Sequence, residues 1–185
     1  MSAGHQELIV ITGGPGAGKT TLIEHLRRAG LAVMPEAGRA IIQEQTAIGG
    51  RALPWLDPVL FAELMLLRDI RSYRAAQRRI GTVFFDHAIP CVAGYLRLLG
   101  RDVPAHVEAA VAAFRYRRRV FVAPPWPEIY QTDSERRQSL DEAERTYDAM
   151  VEAYAGYGYD LVELPRSDIA DRVRFVLDDT RRQSW

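Results

Sequence analysis

The chain has 185 residues, which is one domain at roughly 150 residues per domain and enough to bury a core without disulfides or metals. Apolar residues make up 48% and charged residues 26%, and 24 cationic side chains balance 24 anionic ones, so the composition is that of an ordinary globular protein without the basic excess of a dedicated nucleic-acid binder. Cys91 is the sole cysteine, which excludes an internal disulfide and a cysteine-based zinc cluster. No apolar run reaches the length of a bilayer span, and Met1 to Glu7 lacks the basic start and apolar stretch of a signal peptide, so a cytoplasmic location is expected. Of the cations, 23 are arginine and only Lys19 is lysine; there is no asparagine.

Leu8 to Ile11 is a continuous apolar run that reads as a buried strand, ending in a glycine-rich turn from Gly13 to Gly18. A helical pattern follows to about Arg28 and stops at Gly30. Leu31 to Met34 reads as a second strand ending at Pro35-Glu36, and Ala37 to Ile48 as a helix broken by Gly49-Gly50. Asp57-Pro58 is a helix start, with a capping residue before a proline at the first helical position. That helix is expected to reach about Ile80, with Leu60, Leu64, Leu67 and Ile70 on one face. Thr82 to Phe85 is a third strand ending at Asp86, and helices are expected over Pro90–Leu99 and Pro104–Tyr116. Val120 to Val122 is a fourth strand, closed by the stiff Pro124-Pro125-Trp126-Pro127. Glu128 to Gln138 is polar. Ser139 with Glu142 makes a capping box for a helix to about Tyr154. Leu161 to Leu164 is a fifth strand, and Ser167 is placed to cap a last helix to about Asp179. Strands alternating with helices predict an α/β fold in three layers: a five-stranded parallel sheet with helices on both faces.

Gly13-Gly14-Pro15-Gly16-Ala17-Gly18-Lys19-Thr20 fits G-x-x-x-x-G-K-[ST], with a strand before it and a helix after it. Glycines allow backbone N–H groups to converge on phosphate oxygens, the helix start adds its positive dipole end, and lysine brings a compact charge to the β- and γ-phosphates. Gly14, Pro15, Gly16, Ala17, Gly18, Lys19, Thr20 and Thr21 are therefore the candidate nucleotide-binding residues, for Mg·ATP. Thr20 offers a hydroxyl to Mg²⁺. Asp86, at a strand end, is the candidate acid for the same ion, a helix-capping role being the other reading. Glu36 closes the second strand, where it could orient or deprotonate an acceptor hydroxyl, hold a metal-bound water, or merely complement a helix dipole.

Arg136 and Arg137, in the polar stretch between the fourth strand and its helix, are candidate lid cations for the charge that builds on a transferring phosphoryl group; a solvated charged segment is the alternative. Arg115 to Arg119 could touch phosphates or nucleic acid, or form a solvated face. The four histidines, at 5, 25, 87 and 106, lack metal-ligand spacing. Cys91 reads as a small hydrophobe. Trp55, with Pro54 and Pro58, is a candidate for an acceptor pocket or for the core. Without asparagine, and with Lys19 already used, the Asn/Thr-Lys-x-Asp guanine-reading motif cannot form. His87 stands where hexameric AAA+ motors place a water-activating glutamate.

Gly13–Thr21, Pro35-Glu36-Ala37-Gly38-Arg39, Phe85-Asp86-His87-Ala88-Ile89-Pro90, Trp126–Asp133 and Gly158–Pro165 together resemble the small bacterial "AAA domain" ATPases. These are similar to the NadR kinase domain and to other nucleoside- and nucleotide-kinase-like P-loop proteins. The resemblance spans nearly the whole chain, one domain over 1–185. It implies the strand order of nucleotide kinases and a lid over about 126–138. It also aligns Glu36 with the strand-two carboxylate that serves such kinases as base or metal partner, and Asp86 with the acid of an Asp-Arg motif. His87 replaces that arginine, which leaves Arg39, Arg136 and Arg137 as the local cations. The reading is an ATP-dependent phosphotransferase acting on a small nucleoside-like or other hydroxylated acceptor. Two alternatives stay open: an ATP-binding switch or slow ATPase acting through a protein partner, and a nucleic-acid-directed ATPase or end kinase, which zero net charge disfavours.

Overall fold

The computed structural model describes residues 6–130 and 139–182. Strand β1 spans Glu7–Gly13, β2 Ala32–Met34, β3 Thr82–Asp86, β4 Arg119–Ala123 and β5 Asp160–Glu163. They form one parallel sheet in the order β2-β3-β1-β4-β5. β1 is central and both neighbours follow it in the chain by long crossovers, so a crevice opens at its carboxyl end, between the ends of β3 and β4.

The two faces of β1 divide the core. Ile9 and Ile11 pack with Leu22 and Leu26 of α1 (Lys19–Arg28) and Val176 of α7 (Ile169–Arg182). Leu8 and Val10 pack on the other side with residues of α3 (Pro58–Ala76), α4 (Ile89–Leu98), α5 (Ala105–Ala113) and α6 (Leu140–Gly156). β1, β3 and β4 are buried on both faces, which is why they read as continuous apolar runs, whereas the edge strands β2 and β5 are less covered. Helix α2 (Ala37–Ala47) lies outside this stack, joined to α3 through Ala37, Ile41 and Phe61.

Local chemistry sets most helix boundaries. Asp57 accepts the Leu60 N–H ahead of Pro58, and the Ser139–Glu142 capping box is formed in both directions. Two expected helices end early: α3 at Ala76 and α5 at Ala113. Tyr116, expected in the second of these, lies beyond it, buried and edge-on to Phe85 and Tyr73. The last helix is capped by Asp168, whose Oδ1 accepts the Asp171 N–H, and not by Ser167.

Helix α3 corrects a further expectation. It turns Phe61, Ala62, Leu66, Asp69, Tyr73 and Ala76 inward, while Leu60 and Leu67 are exposed. Both stripes are apolar, and the one that contacts α4 is the one carrying an aspartate.

Helices α4 and α6 approach closely at Gly94, where an added Cβ would lie 2.8 Å from Met150 Cε and 3.1 Å from both Ala149 O and Ala153 Cβ. Gly94→Val should lower the unfolding free energy by about 2 kcal/mol through overpacking; urea unfolding followed by circular dichroism checks this, and an unchanged midpoint would contradict the packing described.

Candidate functional site

The loop after β1 is held against three other elements. Gly13 has φ 128°, and a Cβ there would sit 2.3 Å from the Ala123 carbonyl oxygen at the end of β4. Gly18, the residue before α1, has φ 76°, and its Cβ would sit 2.7 Å from Arg172 Nη1. No side chain caps α1 at Gly18, and a helix start has the dipole that suits an anion. Lys19 is only 6% exposed, and its Nζ donates to the Gly14 carbonyl at 2.6 Å. Thr20 and Thr21 are exposed on the first turn.

Arg172, from α7, is a functional candidate that sequence reasoning missed. It is 2% exposed, its Nη1 donates to the Ala17 carbonyl at 3.0 Å, and its guanidinium lies 5.7 Å over the Trp126 ring. Burial lowers its pKa. A trans peptide points its C=O and N–H in opposite directions. Holding the Ala17 oxygen against α7 therefore turns the Gly18 N–H the other way, away from Arg172.

Asp86 ends β3 opposite Ile11 and is 3% exposed. The next residue, His87, has φ 65° and is the one non-glycine residue with positive φ among the described residues. Such conformations store strain and gather at functional sites. Its N–H donates to Ile11 O at 3.1 Å, which anchors the turn to β1. His87 Nδ1 lies 3.1 Å from Cys91 Sγ and 3.4 Å from Thr12 Oγ1, and Cys91 Sγ lies 3.2 Å from Tyr154 Oη. Burial pushes the Cys91 thiol up to about 11, so it stays a neutral packing and hydrogen-bonding group.

Glu36 is the N-cap residue of α2, where its charge complements the helix dipole, and its side chain makes no cap hydrogen bond there. Instead it faces a cavity of about 250 Å³ that begins at Gly13, Pro15 and Lys19 of the loop and continues between α2, α3, α4 and α6. Phe61, Met65, Tyr95, Trp55, Ile42 and Met150 supply its apolar wall. Phe61 and Tyr95 meet edge to face at 5.8 Å. Pro54 and Trp55 line this cavity, with Trp55 57% exposed, so Trp55 belongs to the pocket and not to the core.

Asp69 lines the same cavity and was also missed. It is 6% exposed, and no hydrogen bond or ion pair satisfies its carboxyl among the described residues. Burial first, and the charge of Glu36 second, push its pKa up to about 8. Its signal in the sequence is the spacing Phe61, Met65, Asp69, every fourth residue along α3, which all reach the cavity.

The loop, Glu36, His87 and Arg39 thus share one cavity. Asp86 stands beside it at the β3 end. Arg136 and Arg137 lie outside the described residues, as does most of the expected lid; its start holds a 3₁₀ turn over Pro127–Ile129. The Arg115–Arg119 cations are engaged at the amino end of β4, the end of the sheet opposite the loop. Arg115 donates to Tyr157 O and stacks 4.2 Å over Tyr159; Arg118 pairs with Asp160 at 3.0 Å and Arg119 with Asp179 at 2.7 Å. Among the described residues no group of three or more His, Cys, Asp or Glu could hold a metal, and no helix is long and apolar enough to cross a membrane.

A model of the AAA domain family matches residues 8–172. No curated protein matches the chain in sequence. Among solved structures, it is similar to a deoxyadenosine kinase from M. mycoides with bound dATP, at TM-score 0.64 and 13% identity over 94% of this chain and 99% of that one. It is also similar to a thymidylate kinase from Ehrlichia chaffeensis, at TM-score 0.62 and 14% identity over 95% and 98%. A NadR protein in complex with NAD and AMP-PNP matches at TM-score 0.66 and 18% identity, over 96% of this chain and 49% of that one. At these identities the likeness establishes the fold, a nucleotide-kinase P-loop fold.

The raised carboxyl of Asp69 has a consequence for stability. In the unfolded chain it loses its proton near pH 4, while the folded protein keeps it to about pH 8. The native state therefore binds more protons across that window, and stability falls as pH rises through it. Asp69→Asn removes the term. Its stability advantage over the native chain should grow by about 4 kcal/mol between pH 5 and pH 8, at roughly 1.4 kcal/mol per unit, as measured by urea unfolding at both values. An advantage that does not change with pH would show that the carboxyl is ionised in the fold.

Proposed function

The chain belongs to the AAA domain family, and on that premise we propose that it transfers the γ-phosphoryl group of ATP to a small nucleoside-like acceptor. One observation carries the reading: a single cavity is lined at one end by Gly13, Pro15 and Lys19 and runs on, past the Glu36 carboxylate, into a chamber walled by aromatic and aliphatic side chains. A phosphate loop built only for hydrolysis or switching needs room for a water; this one adjoins a chamber suited to a second small molecule.

In this proposal the loop amides and the α1 N-terminus hold the triphosphate, and Lys19 leaves the Gly14 carbonyl for the β- and γ-oxygens. Arg172 keeps the Ala17–Gly18 peptide turned for that contact. Thr20 and Asp86 form an all-oxygen donor pair of the kind that suits Mg²⁺, which takes few protein ligands and the rest from phosphate and water. The ion supplies neutralisation of phosphate charge when bound. Glu36 takes the proton of the acceptor hydroxyl as its oxygen bonds to the γ-phosphorus and the bond to the ADP oxygen breaks. His87 stands at the strand end beside the loop, in a strained conformation held by β1. Arg136 and Arg137, outside the described residues, keep the part read for them in the sequence, positive charge for the transferring group.

ADP release from Mg·ATP, measured alone and with nucleosides, nucleotides and sugars, tests the reading. Acceptor-dependent release should vanish in Lys19→Ala. It should fall about 10²- to 10⁴-fold in Glu36→Gln, the usual worth of general base catalysis, with the KM for ATP little changed. Slow release that no acceptor stimulates would instead favour a switch.

A further inference from the structure

Asp69 is a buried group that the phosphoryl transfer just described does not use. A carboxyl that is nine-tenths buried with no partner is uncommon, and each such group calls for an explanation. The apolar wall around it is no explanation, since an aliphatic side chain would pack there without desolvating a carboxyl. The group opens onto the cavity, so the partner it lacks is one that the cavity admits.

We infer that Asp69 selects the acceptor: its carboxyl pairs with the edge of a planar heterocycle that carries one hydrogen-bond donor beside one acceptor, while the aromatic wall takes the face of the ring. The inference rests on reading this cavity as the acceptor's. Phe61 and Tyr95, edge to face, and the ring of Trp55 supply stacking surface, which is worth most to a flat π-system. Met65, Ile42 and Met150 offer nothing to the many hydroxyls of a sugar. A protonated carboxyl has one O–H donor and one carbonyl acceptor a short distance apart. That pair complements the N/NH₂ edge of cytosine or adenine and the C=O/NH edge of uracil or guanine. An ionised carboxylate would only accept, and would leave the acceptor atom of each such edge facing negative charge.

The surroundings favour the neutral form. Glu36 and Arg39 line the cavity from the start of α2, Tyr95 and Cys91 from α4, and His87 and Lys19 from the strand ends. Tyr116, ahead of β4, and Cys91 feel the Asp69 charge. Arg39 and Lys19, the cations of this set, make no ion pair with Asp69, and burial with the Glu36 charge pushes the carboxyl toward protonation.

The experiment compares the native chain, Asp69→Asn and Asp69→Leu in acceptor-dependent ADP release with cytidine, uridine, adenosine and guanosine, their 5′-monophosphates, and the ring-N-methylated counterpart of whichever base is accepted. Asparagine offers the same donor and acceptor at every pH; leucine offers neither. Asp69→Leu should raise the acceptor KM by roughly 10²-fold or more, since a site built to hydrogen-bond its substrate is left unmatched, with kcat and the ATP KM within about threefold. Asp69→Asn should keep the acceptor KM within about tenfold. The native KM should climb above pH 8 and that of Asp69→Asn should not. Methylation of the base edge should weaken the native enzyme and leave Asp69→Leu without further loss. An acceptor KM untouched by Asp69→Leu, or an Asp69→Asn as damaged as Asp69→Leu, overturns the inference. If the native chain turns over none of these compounds, the kinase reading fails, and calorimetric binding of the same nucleosides decides the inference separately. Asp69-dependent binding sustains it and the absence of binding overturns it.

Discussion

The site depends on how tightly the loop after β1 is pressed into the rest of the protein. Gly13 lies against the end of β4, Gly14 against the Ala143 carbonyl of α6, and Gly18 against Arg172 of α7, each closer than any Cβ would permit. Three elements distant in the chain thus fix one short loop. The carbonyls of that loop are taken by the protein itself: Ala17 O by Arg172 and Gly14 O by Lys19. At Ala17 the held oxygen leaves the Gly18 N–H of the same peptide facing the other way; the Gly14–Pro15 peptide has no N–H, and its oxygen holds Lys19 beside the loop. The proposed phosphate contact thus depends on how the loop is tied to its neighbours, and glycine is the residue that lets those approaches be short.

The same frame places the remaining groups. β3 pairs with β1 so that Asp86 stands level with Ile11, and the His87 N–H is bonded to Ile11 O. The strand end is therefore attached to the strand that carries the loop, and its left-handed turn is sustained by that bond and by contacts from the His87 ring to Thr12 and Cys91. Helix α6 closes the arrangement from above: Ala143 backs the loop, Thr146 and Met150 line the cavity, and Tyr154 reaches Cys91. One helix face serves the phosphate end and the chamber beyond it.

What the sequence revealed and what it hid divide along the range of the interactions. The loop, the strand ends at Glu36 and Asp86, and the caps at Asp57 and Ser139 are local patterns, and they could be read directly. Arg172 could not, because its partners are a backbone oxygen 155 residues away and an indole on another loop; in its own helix it is one arginine among several. Asp69 was hidden differently. Helix α3 is apolar on two stripes, and periodicity alone preferred Leu60, Leu64 and Leu67. The inward stripe was settled by Phe61, Ala62 and Leu66 fitting α2, α4 and the sheet, and Asp69 was carried inside with them. Ser167 and Asp168 differ by one residue in which oxygen meets the Asp171 N–H, a choice made by loop geometry after β5.

Two carboxyls in one cavity then have separate environments. Glu36 is half-buried at the mouth of α2, near the loop, in the same cavity as Lys19 and Arg39. Asp69 is buried among aromatic and aliphatic side chains, and the Glu36 charge itself disfavours a second one. The two differ in depth: Glu36 lies beside the loop, and Asp69 lies in the chamber, where a neutral carboxyl can offer and accept hydrogen bonds at once. The cost is a fold that is less stable above pH 4 than it would be with an amide at position 69. That cost has no return within the fold itself, since Asp69 makes no hydrogen bond or ion pair among the described residues, so the compensating interaction belongs to whatever enters the cavity.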